Sequence, residues 1–273
     1  MLKRTIGMTA AGAALVMAAV AGCGSNAQPI QVNLAASEVL SQAALKTAEV
    51  TSYTVDAVVN VSHPQEGAGK IQGRMLYQSK PELAADLTLD TVQMAGKNVP
   101  GGVRAVLQGD AVYVKVQALN DFLGNTKPWL KASLNEMGKS GEVNQYLNQV
   151  QQFDLGNMTK LVTASQDVKS VGTESVNGED ATHYSGTFPV EAAVQQVPAE
   201  DQEQVRKGLA ELKDVKFDLW VAADGLPRKL ALNGSKEGAT LDASLFFKGY
   251  NEPVNIQAPP ADQVSEAPKN TTN

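Results

Sequence analysis

Tyr53-Thr54-Val55-Asp56-Ala57-Val58-Val59-Asn60-Val61 alternates with period two. Tyr53, Val55, Ala57, Val59 and Val61 share one side, while Thr54, Asp56 and Asn60 share the other, with Val58 the exception. That period belongs to a half-buried strand, because successive side chains of an extended chain point to opposite faces. The pattern recurs on both sides of it. After a turn from His63-Pro64 to Gly69, Ile71, Gly73, Met75 and Tyr77 stand opposite Lys70, Gln72, Arg74 and Gln78. Lys80-Pro81 marks a turn, and Leu83, Ala85, Leu87 and Leu89 make a third run. Val103 to Gln108 and Ala111 to Val116 flank Gly109, and Asp167 to Val176 and Ala181 to Phe188 flank Asn177-Gly178, both hairpin signals. Val215, Phe217, Leu219 and Val221, then Arg228 to Asn233, then Ala239, Leu241, Ala243, Leu245 and Phe247 complete the set. Sequential alternating strands with short turns predict an antiparallel meander with one apolar and one wet face.

Helical spacing separates the strand blocks. Leu34 to Glu49 carries a stripe of Leu34, Val39, Leu40, Ala43, Ala44 and Ala48. Trp129 to Met137, Glu142 to Phe153, Leu155 to Ala164, Val190 to Val197 and Ala199 to Lys213 also read as helices. The expected fold is α+β: a single large curved antiparallel sheet, a half-barrel, with helices packed on its concave apolar face. Aromatic residues make up 5% of the chain, so the interior is expected to be mostly Val, Leu and Ala.

The start of the chain has a different composition. Lys3 and Arg4 precede an apolar run from Met8 to Val20, followed by Ala21-Gly22-Cys23. This is the pattern of a removable secretory signal, and the run falls short of the roughly twenty residues that span a bilayer as a helix. The small residues before Cys23 resemble the lipobox of bacterial lipoproteins. That resemblance implies cleavage between Gly22 and Cys23, a diacylglycerol on the Cys23 thiol and acylation of the new amino end. The expected organisation is then a signal at residues 1–22, a tether at 23–33, a domain at 34–260 and a loose polar tail at 261–273. The expected location is the extracytoplasmic face of the cell membrane, held by lipid.

Composition removes other classes. Loss of Lys3 and Arg4 with the signal takes the formal charge of −6 down by two, to −8. An acidic chain lacks the positive footprint that nucleic acid requires, so no nucleic-acid partner is expected. Cys23 is the one cysteine, so no disulfide framework supports the fold and no free thiol nucleophile remains once it is acylated. The two histidines, His63 in a turn and His183 in a strand, cluster with no cysteine or second histidine in the sequence. No metal site, cofactor or catalytic constellation is therefore expected, and the protein reads as a non-enzyme. Glu200, Asp201, Glu203, Glu211 and Asp214 read as a solvated helix face. Trp220 falls on the polar phase of its strand, where it either covers a helix or lies on the outer surface.

Three segments carry a wider likeness. They are Val176-Asn177-Gly178-Glu179-Asp180-Ala181-Thr182-His183-Tyr184, then Phe217 through Asp224-Gly225-Leu226-Pro227-Arg228-Lys229, and Gly249-Tyr250-Asn251-Glu252-Pro253 through Pro259-Pro260. Together with Ser52-Tyr53-Thr54-Val55 and the start at Cys23, they resemble the LppX/LprG-type lipoproteins of actinobacteria, which share their shape with the lipoprotein carriers LolA and LolB. The resemblance implies a half-barrel with an apolar cavity between sheet and helices, in which some members carry lipid or glycolipid. The inward-facing candidates are Val55 and Val59 on the first strand, Ile71 and Met75 on the second, then Leu87, Val114, Phe217, Leu219, Leu241 and Leu245. Those side chains either line a cavity for a hydrophobic ligand or fill a dry core, since protein interiors normally reach crystal-like density. The first case gives a lipid-binding or lipid-transporting lipoprotein, and the second an envelope interaction or sensing module.

Overall fold

The computed structural model describes residues 35–65, 67–134, 155–195, 199, 202, 203, 206 and 215–267. Helix α1 (Ala36–Ala48) buries Leu40, Ala43 and Thr47, a stripe at helical spacing. The Thr47 hydroxyl donates back to the Ala43 carbonyl at 2.9 Å, so its burial leaves no polar group unmet. Strands β1 (Ser52–His63), β2 (Gly67–Gln78), β3 (Ala84–Met94), β4 (Lys97–Asn98), β5 (Val103–Gln108) and β6 (Ala111–Val116) follow. Next come α2 (Gln117–Leu123), β7 (Trp129–Ser133), α3 (Leu155–Val162), β8 (Lys169–Val176), β9 (Glu179–Thr187) and α4 (Val190–Val194). The chain ends in β10 (Lys216–Ala222), β11 (Pro227–Lys236), β12 (Ala239–Lys248), a 3-10 turn (Ala261–Gln263) and β13 (Val264–Glu266).

All the described strands belong to one open sheet in the order β13-β7-β6-β5-β3-β2-β1-β12-β11-β10-β9-β8, with β4 paired to β3. Neighbours run antiparallel except β13, which lies parallel to β7. Two meanders, one from each half of the chain, therefore meet where β1 pairs with β12, from Thr54 opposite Lys248 to Ser62 opposite Thr240. Asn251 fastens this seam. Its side-chain oxygen accepts from the Thr51 amide at 2.8 Å, and its amide donates to the Ser52 carbonyl at 2.9 Å. Asn251 sits at φ 58°, a conformation that asparagine tolerates better than most residues.

The main core lies where α1 and α3 cover one face of the sheet. Leu40, Ala43, Leu155 and Val162 from the helices meet Tyr53, Val55, Tyr77, Tyr184, Phe217, Leu219 and Phe247. The expected interior of Val, Leu and Ala is corrected in one respect. Among the described residues the three largest fully buried side chains are Tyr53, Phe217 and Phe247. Tyr53 stacks obliquely on Tyr77 at 5.1 Å and meets Phe247 edge-on at 6.4 Å, so an aromatic cluster forms the centre of this core.

Three expectations fail or shift. Trp129 to Ser133 is not helical: it forms β7, with Tyr113 opposite Lys131 and Val114 opposite Leu130. Leu, Lys and Ala favour helix, and pairing with β6 overrides that preference. The tail is not loose from 261 onward, because β13 sets Val264 beside Trp129 and Glu266 beside Lys131. Helix α2 was not expected. The predicted helix at 142–153 lies outside the described residues, as does most of that at 199–213.

Asp167 locks the entrance to β8 against the end of β9. Its carboxylate accepts from the Thr187 amide and the Thr187 hydroxyl, both at 2.7 Å, and from the Ser165 hydroxyl at 2.9 Å. The Thr187 amide bond is the leading cause, and together these bonds bring its pKa from 3.8 to about 2. A depressed carboxyl stabilises the fold fully above its unfolded value, and that contribution disappears as pH falls from 3.8 through about 2. Asp167→Asn is expected to flatten this part of the acid limb, read as urea midpoints across that interval. An unchanged limb would show that the carboxylate contributes nothing.

Candidate functional site

Residues directly opposite in an antiparallel ladder share a face. Val55 lies opposite Phe247 and Met75, Met75 opposite Leu87, Leu87 opposite Ala105, and Ala105 opposite Val114. Val59 faces Ile71, and Leu241 faces Val61. Leu245 faces Leu230, which faces Leu219, while Phe217 faces Leu232. All ten cavity candidates therefore stand on one side of the sheet, the side that α1 and α3 cover.

Their burial differs along the strands. On β1 it falls from Tyr53, 1% exposed, through buried Val55 and half-buried Ala57 and Val59 to Val61, 45% exposed. On β2 it falls from buried Tyr77 through half-buried Met75 to Ile71, 38% exposed. Leu241 and Leu245 of β12, with Leu87 and Val114, are also half-buried. Val55, Phe217 and Leu219 belong to the packed core, and Met75 and Leu245 rest against it. The candidates thus form a floor that is sealed beneath α1 and α3 and reaches solvent toward the His63 end of β1.

Gly73 interrupts this floor at a β-bulge, where β2 shifts register against β3 between Gln72 and Gly73. A Cβ there would lie 2.2 Å from the Thr88 carbonyl oxygen, so no other residue fits that approach. The strands draw together at a point where a side chain would otherwise fill the apolar face.

The outer face is built from paired charges, a feature that strand periodicity marked only as polar. Asp56 accepts from Arg74 and from Lys248, each at 2.5 Å. Burial opposes ionisation of Asp56, but these two hydrogen bonds hold its pKa below the ordinary value. Arg104 pairs with Asp86 at 2.7 Å, and Arg228 with Glu179 at 2.6 Å and Asp224 at 2.8 Å. Two open clefts lie among these residues. One of about 590 Å³ is lined by Asp56, Arg74, Asp86, Thr88 and Arg104. The other, of about 740 Å³, is lined by Glu179, Asp224, Arg228, Lys248 and Tyr250. Every cation lining them already faces a carboxylate, so neither presents an unmet positive charge to a ligand.

Trp220 lies on this outer face and is buried. Its indole N–H donates to Glu174 at 2.9 Å, its ring stacks on His183 at 4.3 Å, and the Lys229 ammonium sits 4.2 Å above it. The two nitrogens of His183 lie 3.0 Å from Glu174 and 2.8 Å from Asp218. The indole N–H is the main cause, with His183 second, that keeps the Glu174 carboxyl below its ordinary pKa. Glu174, His183, Asp218 and Trp220 knit β8, β9 and β10 together. Trp220 was legible in the sequence as a polar-phase position, but its convergence with Glu174, His183 and Asp218 depends on register. Among the described residues no three His, Cys, Asp or Glu side chains are placed to hold a metal ion.

No family model matches the chain. An uncharacterized 31.2 kDa protein from the rplA-rplJ intergenic region of Streptomyces griseus is 29% identical over 184 residues. That match covers 64% of this chain and 59% of the other, so the chain spans less than two thirds of that relative's length. Among solved structures, LprF from Mycobacterium bovis aligns with a TM-score of 0.50 at 16% identity, over 82% of this chain and 96% of that one. The Mycobacterium tuberculosis lipoprotein LppX aligns at 0.46 and 16% identity, over 81% and 98%. The likeness to LprF shows the fold: an open, curved, mostly antiparallel sheet with helices on one face. The fold expected from the LppX/LprG-type resemblance is the one observed.

Proposed function

We propose that this chain is a non-enzymatic lipoprotein, anchored through Cys23 at the extracytoplasmic face of the membrane, that binds a hydrophobic ligand such as a lipid or glycolipid on its apolar floor. The observation that carries this reading is the fall in burial along β1 and β2. A floor built only to be a core would be sealed throughout, as the part under α1 and α3 is. Here Val59, Ile71, Met75 and Leu241 keep apolar surface within reach of solvent. Acyl chains laid along them would be bound chiefly by loss of apolar area from water, at about 25 cal/mol per Å². Val55, Phe217 and Leu219, packed in the core, set the inner limit of that space. The LprF fold and the lipobox-like start at Gly22-Cys23 support the same reading.

The test uses the chain from Gly24 onward, which contains the compact unit that begins at Leu34. Organic extraction of the purified protein followed by mass spectrometry is expected to yield a long-chain compound in near-stoichiometric amount. Ile71→Arg with Leu241→Arg is expected to abolish that yield, since a bound acyl chain would have to desolvate two guanidiniums, while an unchanged melting temperature shows the fold intact. Protein free of any extractable compound would instead support an interaction module with a filled core.

A further inference from the structure

Helix α2 leaves the sheet where β6 ends, level with the start of β5 and the middle of β3, since Val116 lies opposite Val103 and Val103 opposite Leu89. Its three large apolar side chains all reach solvent, Phe122 most of all. Leu119 is 38%, Phe122 85% and Leu123 39% exposed. They sit at i, i+3 and i+4 and so share one face. The buried residue of α2 is polar: Asn120 donates to the Pro128 carbonyl at 2.8 Å and accepts from the Asn125 amide at 3.4 Å. Gly124, at φ 65°, closes the helix. An asparagine seats the helix and its greasy face turns outward, the reverse of an ordinary surface helix.

Beside α2 lies a pocket of about 330 Å³, lined by Lys115, Gln117, Asn120, Asn125, Thr126 and Lys127 among others. Its lining carries two ammonium groups and no carboxylate, in a chain whose net charge is −6. Lys127 donates to the Val264 carbonyl at 2.8 Å, which leaves two of its N–H groups unspent. Lys115 is exposed and faces no carboxylate among the described residues. Asp121 is the acidic residue of α2, and it does not line the pocket. The contrast with the outer-face clefts, where each cation is already paired, singles out this pocket as one that an anion would complete.

We propose that this end of the sheet docks onto an anionic phospholipid bilayer. α2 seats Leu119, Phe122 and Leu123 at the headgroup–acyl boundary, and the pocket takes a lipid phosphate between Lys115 and Lys127. Outward apolar residues on a short helix beside unpaired lysines are the elements of an interfacial contact. A second copy of the chain is a poorer occupant, because three side chains fall far short of the roughly 800 Å² per partner that a stable dimer buries. This contact requires neither a bound ligand nor acylation of Cys23.

The experiment is flotation of the chain from Gly24 onward with phosphatidylcholine vesicles, with and without phosphatidylglycerol. Without Cys23 and the residues before it, any binding belongs to the folded domain. The protein is expected to float with the phosphatidylglycerol vesicles and to be released by salt. Phe122→Ser is expected to lower partitioning about tenfold. Lys115→Gln should lower it about fivefold on anionic vesicles and leave neutral ones unaffected. Both side chains are exposed, so circular dichroism melts should match wild type. The proposal is overturned if the wild-type chain stays unbound with phosphatidylglycerol present, or if Phe122→Ser floats equally well. It is also overturned if sedimentation velocity finds a dimer that Phe122→Ser dissociates, which would make the face a self-contact.

Discussion

Phe217→Ala is expected to cost about 3–5 kcal/mol of folding stability, enough to unfold a marginal domain. Phe217 is completely buried and stands in β10 opposite Gly186 of β9 and Leu232 of β11. Its ring occupies the space that a side chain at Gly186 would take, for a Cβ built there lies 2.9 Å from the ring. The void left by truncation has little means of collapsing. Gly186 has no side chain to swing in, and its neighbour Thr187 is pinned to Asp167. Gly186→Ala alone should also destabilise, because the new methyl meets both the Phe217 ring and the Ser165 hydroxyl. Together the two substitutions should cost less than their separate effects by about 0.5–3 kcal/mol, since one removes what the other strikes. Urea titration of the four proteins measures both quantities. A loss below about 1 kcal/mol for Phe217→Ala, the size usual for an average substitution, would show that the site relaxes and is not the rigid centre described here.

Under the proposed function, Cys23→Ser is expected to move the protein from the membrane to the soluble fraction. The thiol is the acceptor of the diacylglycerol implied by the lipobox resemblance, and a serine hydroxyl does not replace it. Each buried methylene of an acyl chain contributes about 0.8 kcal/mol, so two or three chains hold a protein that one would hold only loosely. No described helix is long and apolar enough to cross a membrane, so none of them would retain the variant. The fractions should be separated in high salt, which removes any contact made through Lys115 and Lys127 and isolates the effect of the anchor. The variant should keep its fold, because Cys23 precedes the compact unit that begins at Leu34. Retention of Cys23→Ser in the salt-washed membrane pellet would sink the anchor assignment.

The strands were legible because one face is buried and the other is not. The alternation from Tyr53 to Val61 gave not only β1 but the side on which all ten candidates stand. Asn177-Gly178 likewise marked the turn between β8 and β9, where Asn177 adopts φ 54° and Gly178 φ 86°. What escaped was decided by distant partners. Trp129-Leu130-Lys131-Ala132-Ser133 suits a helix by composition and becomes a strand because β6 offers it a ladder. β13 pairs with β7 across more than a hundred residues and leaves no local trace. α2 did leave one, Gly124 after a short run of helix formers, but seven residues with the apolar side turned outward carry no ordinary amphipathic signal. The openness of the floor was not legible either. Val55 and Val59 are the same residue on the same face, and only the helices' placement makes one buried and the other half-buried.

The seam between β1 and β12 bears on how the molecule comes into being. Thr51 and Asn251 touch across 200 positions, and β1, the first strand made, has an unsatisfied edge until the penultimate strand has been made. Contacts of such separation slow folding, because closing the intervening chain costs entropy before any contact returns it. Maturation is therefore a terminal event: a nascent polypeptide lacking its last few dozen residues is a pair of unjoined ribbons, exposed to proteases and aggregation. Under the proposed function, such delay would suit a chain that stays loosely organised until it has been exported and closes only afterwards.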